Sequence, residues 1–214
     1  MAERTVHHGD GVAFLAGGGL PADHAIVTSL PDHSELPALG VDRWRRWFVE
    51  TVALACRAVA DEAVAVFYQT DVKHDGRWID KGHLVMLGAD AAGSHALFHK
   101  IVCRVPPGTT TFGRPAYAHL IAVSRERRLA PGASTPDVLP ELGEMTWTKG
   151  MGVAACVTAC RFILDHTASR TVVDPFCGLG TALAVANALG LDAVGVELSP
   201  KRARRARNLR VQLP

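Results

Sequence analysis

The 214-residue sequence is notable first for what it lacks. Its five cysteines, Cys56, Cys103, Cys156, Cys160 and Cys177, form no Cys-x-x-Cys pair, which excludes a disulfide framework and the common zinc patterns. Charge of one sign is not in excess either. Twenty-three basic against 21 acidic residues leave a net charge of +2, which by itself points to no class of partner. No apolar stretch approaches the ~18 residues needed to cross a membrane, so no membrane partner is expected. The opening MAERTVHHGD has no apolar core of a signal peptide. With an odd number of scattered cysteines, this predicts a protein of the reducing cytoplasm. Internal repeats and low-complexity tracts are absent. What is present is ordinary globular material: 48% hydrophobic and 21% charged residues, in a chain long enough to bury about 70% of its unfolded surface.

Strand-like and helix-like runs alternate along the chain. Short strands are expected at 5–7, 24–29, 63–69, 96–103, 117–124, 171–174 and 192–198. Trp44, Trp47, Phe48, Thr51, Leu54, Ala55 and Ala58 recur at three- and four-residue spacing, the mark of one buried helix face. Further helices are expected at 81–92, 152–166, 182–189 and 200–213, the last with Pro200 at its first position. Cys156 and Cys160 then fall inside a helix as buried free thiols. Alternation of this kind predicts an α/β protein with a mostly parallel sheet, and the adjacent strands at 96–124 add an antiparallel hairpin at its edge. Residues 125–147, with Pro131, Gly132, Pro136 and Pro140, read as a linker.

The most informative stretch is VVDPFCGLGTALAVANALGLDAVGVELS at 172–199. A strand ends at Asp174, a turn with Gly178 and Gly180 follows, and a helix begins. About 20 residues further on, a second strand ends in Glu197. Glycines let the backbone approach a ligand, a helix start offers free amides, and a terminal acid accepts hydrogen bonds from two ribose hydroxyls. The loop has no third glycine at dinucleotide spacing, which disfavours a nicotinamide or flavin dinucleotide.

DPFCGLGT at 174–181 resembles the cofactor loop of S-adenosylmethionine-dependent amino-methyltransferases that act on nucleic acid, most closely their circularly permuted beta class. TVHHGD at 5–10, HAIVTSLPD at 24–32, the hairpin at 95–126 and WTKGMGVAACVTACRFI at 147–163 extend the resemblance over nearly the whole chain. It implies a Rossmann-like seven-stranded sheet of order 3-2-1-4-5-7-6 with one antiparallel edge strand, the chain starting at strand 3 and returning to supply strands 1 and 2 last. One permuted domain over 1–214 is implied, with a catalytic-loop half at 1–124, the linker at 125–147 and a cofactor half at 148–214. S-adenosyl-L-methionine would be held by Asp174, Pro175, Phe176, Gly178, Gly180 and Thr181, with Glu197 on the ribose. Thr148 and Lys149 would approach its methionine end. Asp10 would meet the adenine amine, or be a plain turn acid after Gly9.

The catalytic loop departs from the family. Ser29, Leu30, Pro31 and Asp32 stand where the family has a polar residue, two prolines and an aromatic ring that stacks on the target base. The stacking ring is then lost or comes from elsewhere, with His33, Phe112 and Trp78 as candidates. Asp32 is a candidate base or hydroxyl clamp, or else a turn acid. No target-recognition domain fits within 125–147. That favours RNA (tRNA or rRNA) as substrate, with DNA methylated at cytosine or adenine and a non-catalytic cofactor- or partner-binding protein as alternatives. A recognition subunit or a second copy of the chain would supply reading from outside. Arg43, Arg45, Arg46, Arg125, Arg127 and Arg128 are placed to meet the substrate, and the basic run 201–210 is a solvated helix face or a phosphate contact. His95 and His99 should share a strand face without a third ligand, so no metal is expected.

Overall fold

The computed structural model describes residues 2–213. Its ten strands are β1 (Arg4–His8), β2 (His24–Thr28), β3 (Ala65–Gln69), β4 (Val72–His74), β5 (Arg77–Ile79), β6 (His95–Cys103), β7 (Tyr117–Ser124), β8 (Val138–Leu139), β9 (Thr171–Asp174) and β10 (Asp192–Glu197). Its six helices are α1 (Gly11–Ala16), α2 (Gly40–Ala58), α3 (Lys81–Ala91), α4 (Val153–His166), α5 (Thr181–Ala188) and α6 (Pro200–Ala206). None of the helices is long and apolar enough to cross a membrane.

The main sheet runs β1-β10-β9-β2-β3-β7-β6-β8. Its first seven strands stand in the expected spatial order. β9 pairs in parallel with β2, Val172 opposite Ala25 and Val173 opposite Ile26, although the two strands lie far apart in sequence. Three features differ from expectation. The antiparallel strand is β7, which lies inside the sheet between β3 and β6 and not at its edge. The edge is the two-residue β8, parallel to β6 and drawn from the supposed linker. Lys100, buried in β6, fastens that segment by donating to the Thr135 and Pro136 carbonyls. Helix α6 stops at Ala206 instead of reaching 213, because its end is turned back: Arg4 donates to the Ala206 and Leu209 carbonyls, and Arg207 to that of Val6.

Alternation along the strands divides the core in two. Ala25, Val27, Val66, Tyr68, Leu120 and Val172 face α4 and α5, where Cys156, Cys160 and Leu183 pack. Ile26, Ala65, Phe67, Ile121 and Val173 face α2 and α3, where Trp44, Phe48, Val52 and Val85 pack. All five cysteines are buried free thiols. Burial pushes those of Cys56 and Cys160 up to about 12. The parallel strands β1, β10, β9, β2 and β3 end together, bringing His8, Glu197, Asp174, Thr28 and Gln69 to one rim of the sheet.

Candidate functional site

Two adjoining cavities open at this rim. The first, of about 220 Å³, is lined by the β9–α5 turn, Asp10, Glu197 and Trp147. The second, of about 350 Å³, is lined by Asp32, Tyr68, Asp71, Arg104 and Arg114. Ser29, Leu30, Glu35, Lys149 and Gly150 belong to both. A residue pair from the end of β2 therefore stands where the two spaces meet, as ligand sites in open α/β sheets do.

The first cavity follows from the turn chemistry. Gly178 and Gly180 have φ of +56° and +84°, a left-handed backbone that other residues adopt at a cost. A Cβ on Gly178 would lie 3.0 Å from the Trp147 ring, so the indole packs directly on the turn. On the other side Gly11 touches the chain so closely that a Cβ would overlap the Pro175 carbonyl. Asp174 is fully buried, accepting from the Thr28 hydroxyl at 2.7 Å and the Phe176 amide at 3.1 Å. Burial dominates those two bonds and pushes its carboxyl up to about 7, with the Glu197 charge acting in the same direction.

Glu197 ends β10 and accepts from the Ser199 amide at 2.7 Å and from Arg202 Nε at 2.9 Å, and Arg202 Nη2 lies 2.7 Å away in the same ion pair. All three contacts fall on Oε1, and Oε2 has no partner among the described residues. Arg202 in turn lies over the Trp147 ring, 5.8 Å from its centroid. Asp10 caps α1 by accepting from the Ala13 amide at 2.9 Å, so it is a helix cap and a cavity residue at once.

The second cavity carries the charge. Burial raises the Asp32 pKa, but the Lys81 ammonium and the His33 hydrogen bond of 2.7 Å outweigh it, and the net shift is downward. Lys81 is itself buried, and desolvation lowers its pKa against the pull of Asp32, Asp71 and Glu35. Asp71 is saturated: Oδ1 accepts from the Lys81 amide at 2.8 Å and His119 at 3.0 Å, and Oδ2 from the Trp78 indole at 3.0 Å. His119 continues to His99 at 2.9 Å. Asp71, Asp80 and His119 are close enough to share a cation, but the His119–Asp71 hydrogen bond accounts for the approach of those two.

Of the residues singled out from sequence, Asp10, Ser29, Leu30, Pro31, Lys149, Asp174, Pro175, Phe176, Gly178, Thr181 and Glu197 line the first cavity. Asp32 lines only the second. Thr148 and Gly180 line neither. The Thr148 carbonyl accepts from Arg114 at 2.8 Å, and Gly180 shapes the turn with a Cβ position 3.0 Å from Ala206. The Pro31 carbonyl is taken by the Trp44 indole at 3.1 Å, which leaves the Leu30 end of the loop to face the cavities.

Four of the six arginines expected to meet a substrate are bound within the chain. Arg125 binds Asp61 and the Cys56 and Val59 carbonyls at the end of α2, and Arg127 binds the Glu62 and His166 carbonyls. Arg128 meets His95, and Arg43 folds back on the Ala38 and Leu39 carbonyls. None of these, nor Arg45 or Arg46, lines either cavity. A bulge between Ala96 and Phe98 breaks the alternation that would have put His95 and His99 on one face. Sequence reasoning missed Glu35, Trp47, Trp147 and Arg202 in the first cavity, and Tyr68, Asp71 and Arg114 in the second. Trp147, Arg114, Arg202 and Trp47 lie within segments singled out above, but nothing in the spacing marks them as cavity residues.

No protein-family model and no curated protein matches the chain. Solved structures do match its fold. A Thermus thermophilus protein described as a DNA modification methylase, complexed with S-adenosyl-L-methionine, has a TM-score of 0.70 at 20% identity, over 96% of this chain and 93% of that one. The cytosine-N4-specific PvuII DNA methyltransferase has a TM-score of 0.73 at 13% identity, over 100% and 89%. The M1.HpyAVI–SAM complex has a TM-score of 0.63 at 14% identity, over 96% and 100%.

Proposed function

We propose that the protein is an S-adenosyl-L-methionine-dependent methyltransferase acting on nucleic acid, with DNA as the substrate. The observation that carries the reading is the pair of cavities joined at Ser29 and Leu30, one lined by the glycine turn, Asp10 and Glu197 and the other by Asp32, Asp71 and Arg114. The sheet order fits a circularly permuted methyltransferase, whose first strand in space order is followed by the last two of the chain.

The cofactor suits the residues present. Glu197 Oε2 is free to accept from ribose hydroxyls, the glycine turn under Trp147 admits a close-lying chain, and Asp10 and Phe176 line the same space. When bound, this cofactor supplies an electrophilic methyl group on a sulfonium. Ser29 and the Leu30 backbone then orient the acceptor at the junction, and Asp32, held ionised beside Lys81 and His33, accepts an N–H proton of the acceptor.

DNA is preferred to RNA for a structural reason. The short 125–147 interval, with no room for a reading domain, is by itself an argument for RNA. The M1.HpyAVI chain is covered in full by this one, and the Thermus protein to 93%, so the same compactness occurs in chains described as DNA methylases or sharing their fold. The test is transfer of a labelled methyl group to genomic DNA and to total RNA, followed by nucleoside analysis by mass. Methylated cytosine or adenine in DNA is the expected result; label in RNA alone would reverse the substrate assignment, and no label in either would leave a binding protein.

A further inference from the structure

Helix α6 carries cations that the chain does not itself use. Ala203 and Ala206 are its buried residues. Arg202 is held by Glu197, and Arg207 by the Val6 carbonyl. Lys201, Arg204 and Arg205 are exposed, and their side chains make no hydrogen bond or ion pair among the described residues. Spaced three and four apart, they lie on one helix face. With Asn208 they line a surface hollow of about 430 Å³ that contains no carboxylate. No acid follows Glu197 in the sequence to neutralise them.

The hollow adjoins both cavities of the site. Three consecutive residues of the segment before α4 separate the three spaces: Met145 lines the second cavity, Thr146 the hollow and Trp147 the first cavity. The Thr146 and Thr181 hydroxyls bond at 2.6 Å, which fixes this segment to the start of α5. Another exposed basic pair gives the contrast. Arg45 and Arg46 on α2 line a hollow together with Asp42 and Glu50, so their charges are balanced on the spot. On α6 the charge is of one sign. A guanidinium fork matches phosphate oxygens, and a row of such groups matches the evenly charged backbone of a nucleic acid. A membrane surface would need an apolar stripe beside the cations, and the two alanines of α6 are buried.

Resting on the nucleic-acid reading above, we propose that Lys201, Arg204 and Arg205 bind the phosphates of the DNA duplex flanking the target nucleotide, which passes over residues 145–147 from the second cavity to α6. The contact is to the backbone alone, so it positions the duplex without reading its sequence. It holds the substrate in a chain whose 125–147 interval has no room for a reading domain.

The experiment measures binding of a short mixed-sequence DNA duplex by fluorescence anisotropy between about 50 and 200 mM salt, with cofactor affinity by calorimetry alongside. Each phosphate neutralised adds about 0.9 to the slope of log K against log salt. Lys201→Gln, Arg204→Gln and Arg205→Gln combined should lower that slope by roughly 2.7 and weaken low-salt binding more than ~10-fold, equally for unrelated sequences. Cofactor affinity should match the parent's and the melting temperature should not fall, since these side chains hold nothing in the fold. Arg45→Gln with Arg46→Gln should leave the slope unchanged; an equal fall per charge would mean diffuse attraction and overturn the site. An unaltered slope in the triple variant, with the parent protein binding DNA, would overturn the α6 contact alone. A parent protein that binds the cofactor but neither DNA nor RNA would overturn the nucleic-acid reading with it. Binding to phosphatidylserine vesicles through these residues, with none to DNA, would assign the face to a membrane and overturn the proposal.

Discussion

At the scale of single residues, two carboxylates of the rim have opposite tasks. Glu197 Oε1 is engaged by the chain, and on the function proposed above Oε2 takes the ribose. Glu197→Ala removes an acceptor shared by two hydroxyls and frees Arg202, so calorimetry should show at least a ~10-fold loss of cofactor affinity, each charge-assisted bond being worth about 1.5–3 kcal/mol. Asp174 is held at about 7 by burial, above its ordinary value of 3.8. Between those values the folded chain binds a proton that the unfolded chain has released, so stability falls as pH rises and the cost is complete above about 7, with a ceiling of about 4 kcal/mol. Asp174→Asn keeps the acceptor for Thr28 and Phe176 while removing the charge. It should melt higher than the parent at pH 8, and the gap should close toward pH 4. Asp32 lies outside the cofactor cavity. Asp32→Ala should lower turnover by ~10²-fold, a size common for a lost proton acceptor, and leave cofactor affinity within a few-fold.

At the scale of elements, the close pairs are set by glycine. Helices α2 and α3 cross where Gly88 meets Val52, and a Cβ there would lie 2.6 Å from the Val52 Cβ and 2.7 Å from the Val49 carbonyl. Neither backbone can yield cheaply. Gly88→Ala should cost about 1–3 kcal/mol and lower the melting temperature by several degrees in a scan. The same scale shows what was legible beforehand. The 174–181 turn was readable because left-handed glycines, a preceding strand and a following helix occur together in one short segment. The Trp44–Ala58 face was readable because its period survives in the structure: Trp44, Phe48, Thr51, Ala55 and Ala58 are buried, and Trp47 and Leu54 partly so. The group of Asp71, Lys81, His119 and His99 was not, since it comes from a loop, a helix start and two neighbouring strands and has no spacing to recognise. The arginines misled because sequence shows a charge but not the carbonyls it will meet. Arg125 alone collects two carbonyls and an acid.

At the scale of the whole molecule, the two ends of the chain lie against each other. The Glu3 amide donates to Asp192 at 2.7 Å, and Arg4 and Arg207 cross-link the first strand with the segment after α6. The exposed 130–134 stretch opens no strand of the main sheet. We therefore propose that residues 1–214 act as one unit. Joining the ends through a short glycine–serine linker and reopening the chain within 130–134 should give a protein that still melts cooperatively and binds the cofactor. Two separate transitions would show instead that the catalytic-loop and cofactor portions fold apart.

The long-range pairing also sets an order of events during synthesis. Within the sheet β1 pairs with β10, Arg4 opposite Ala193, and one side of β2 waits for β9. At about 5–20 residues per second, the first strand spends roughly 10–40 s on the ribosome before its neighbour exists. Ala25, Ile26 and Val27, wholly buried at the end, border an open strand edge for most of that interval. Until β9 is made, that edge of β2 is open to pairing with another chain.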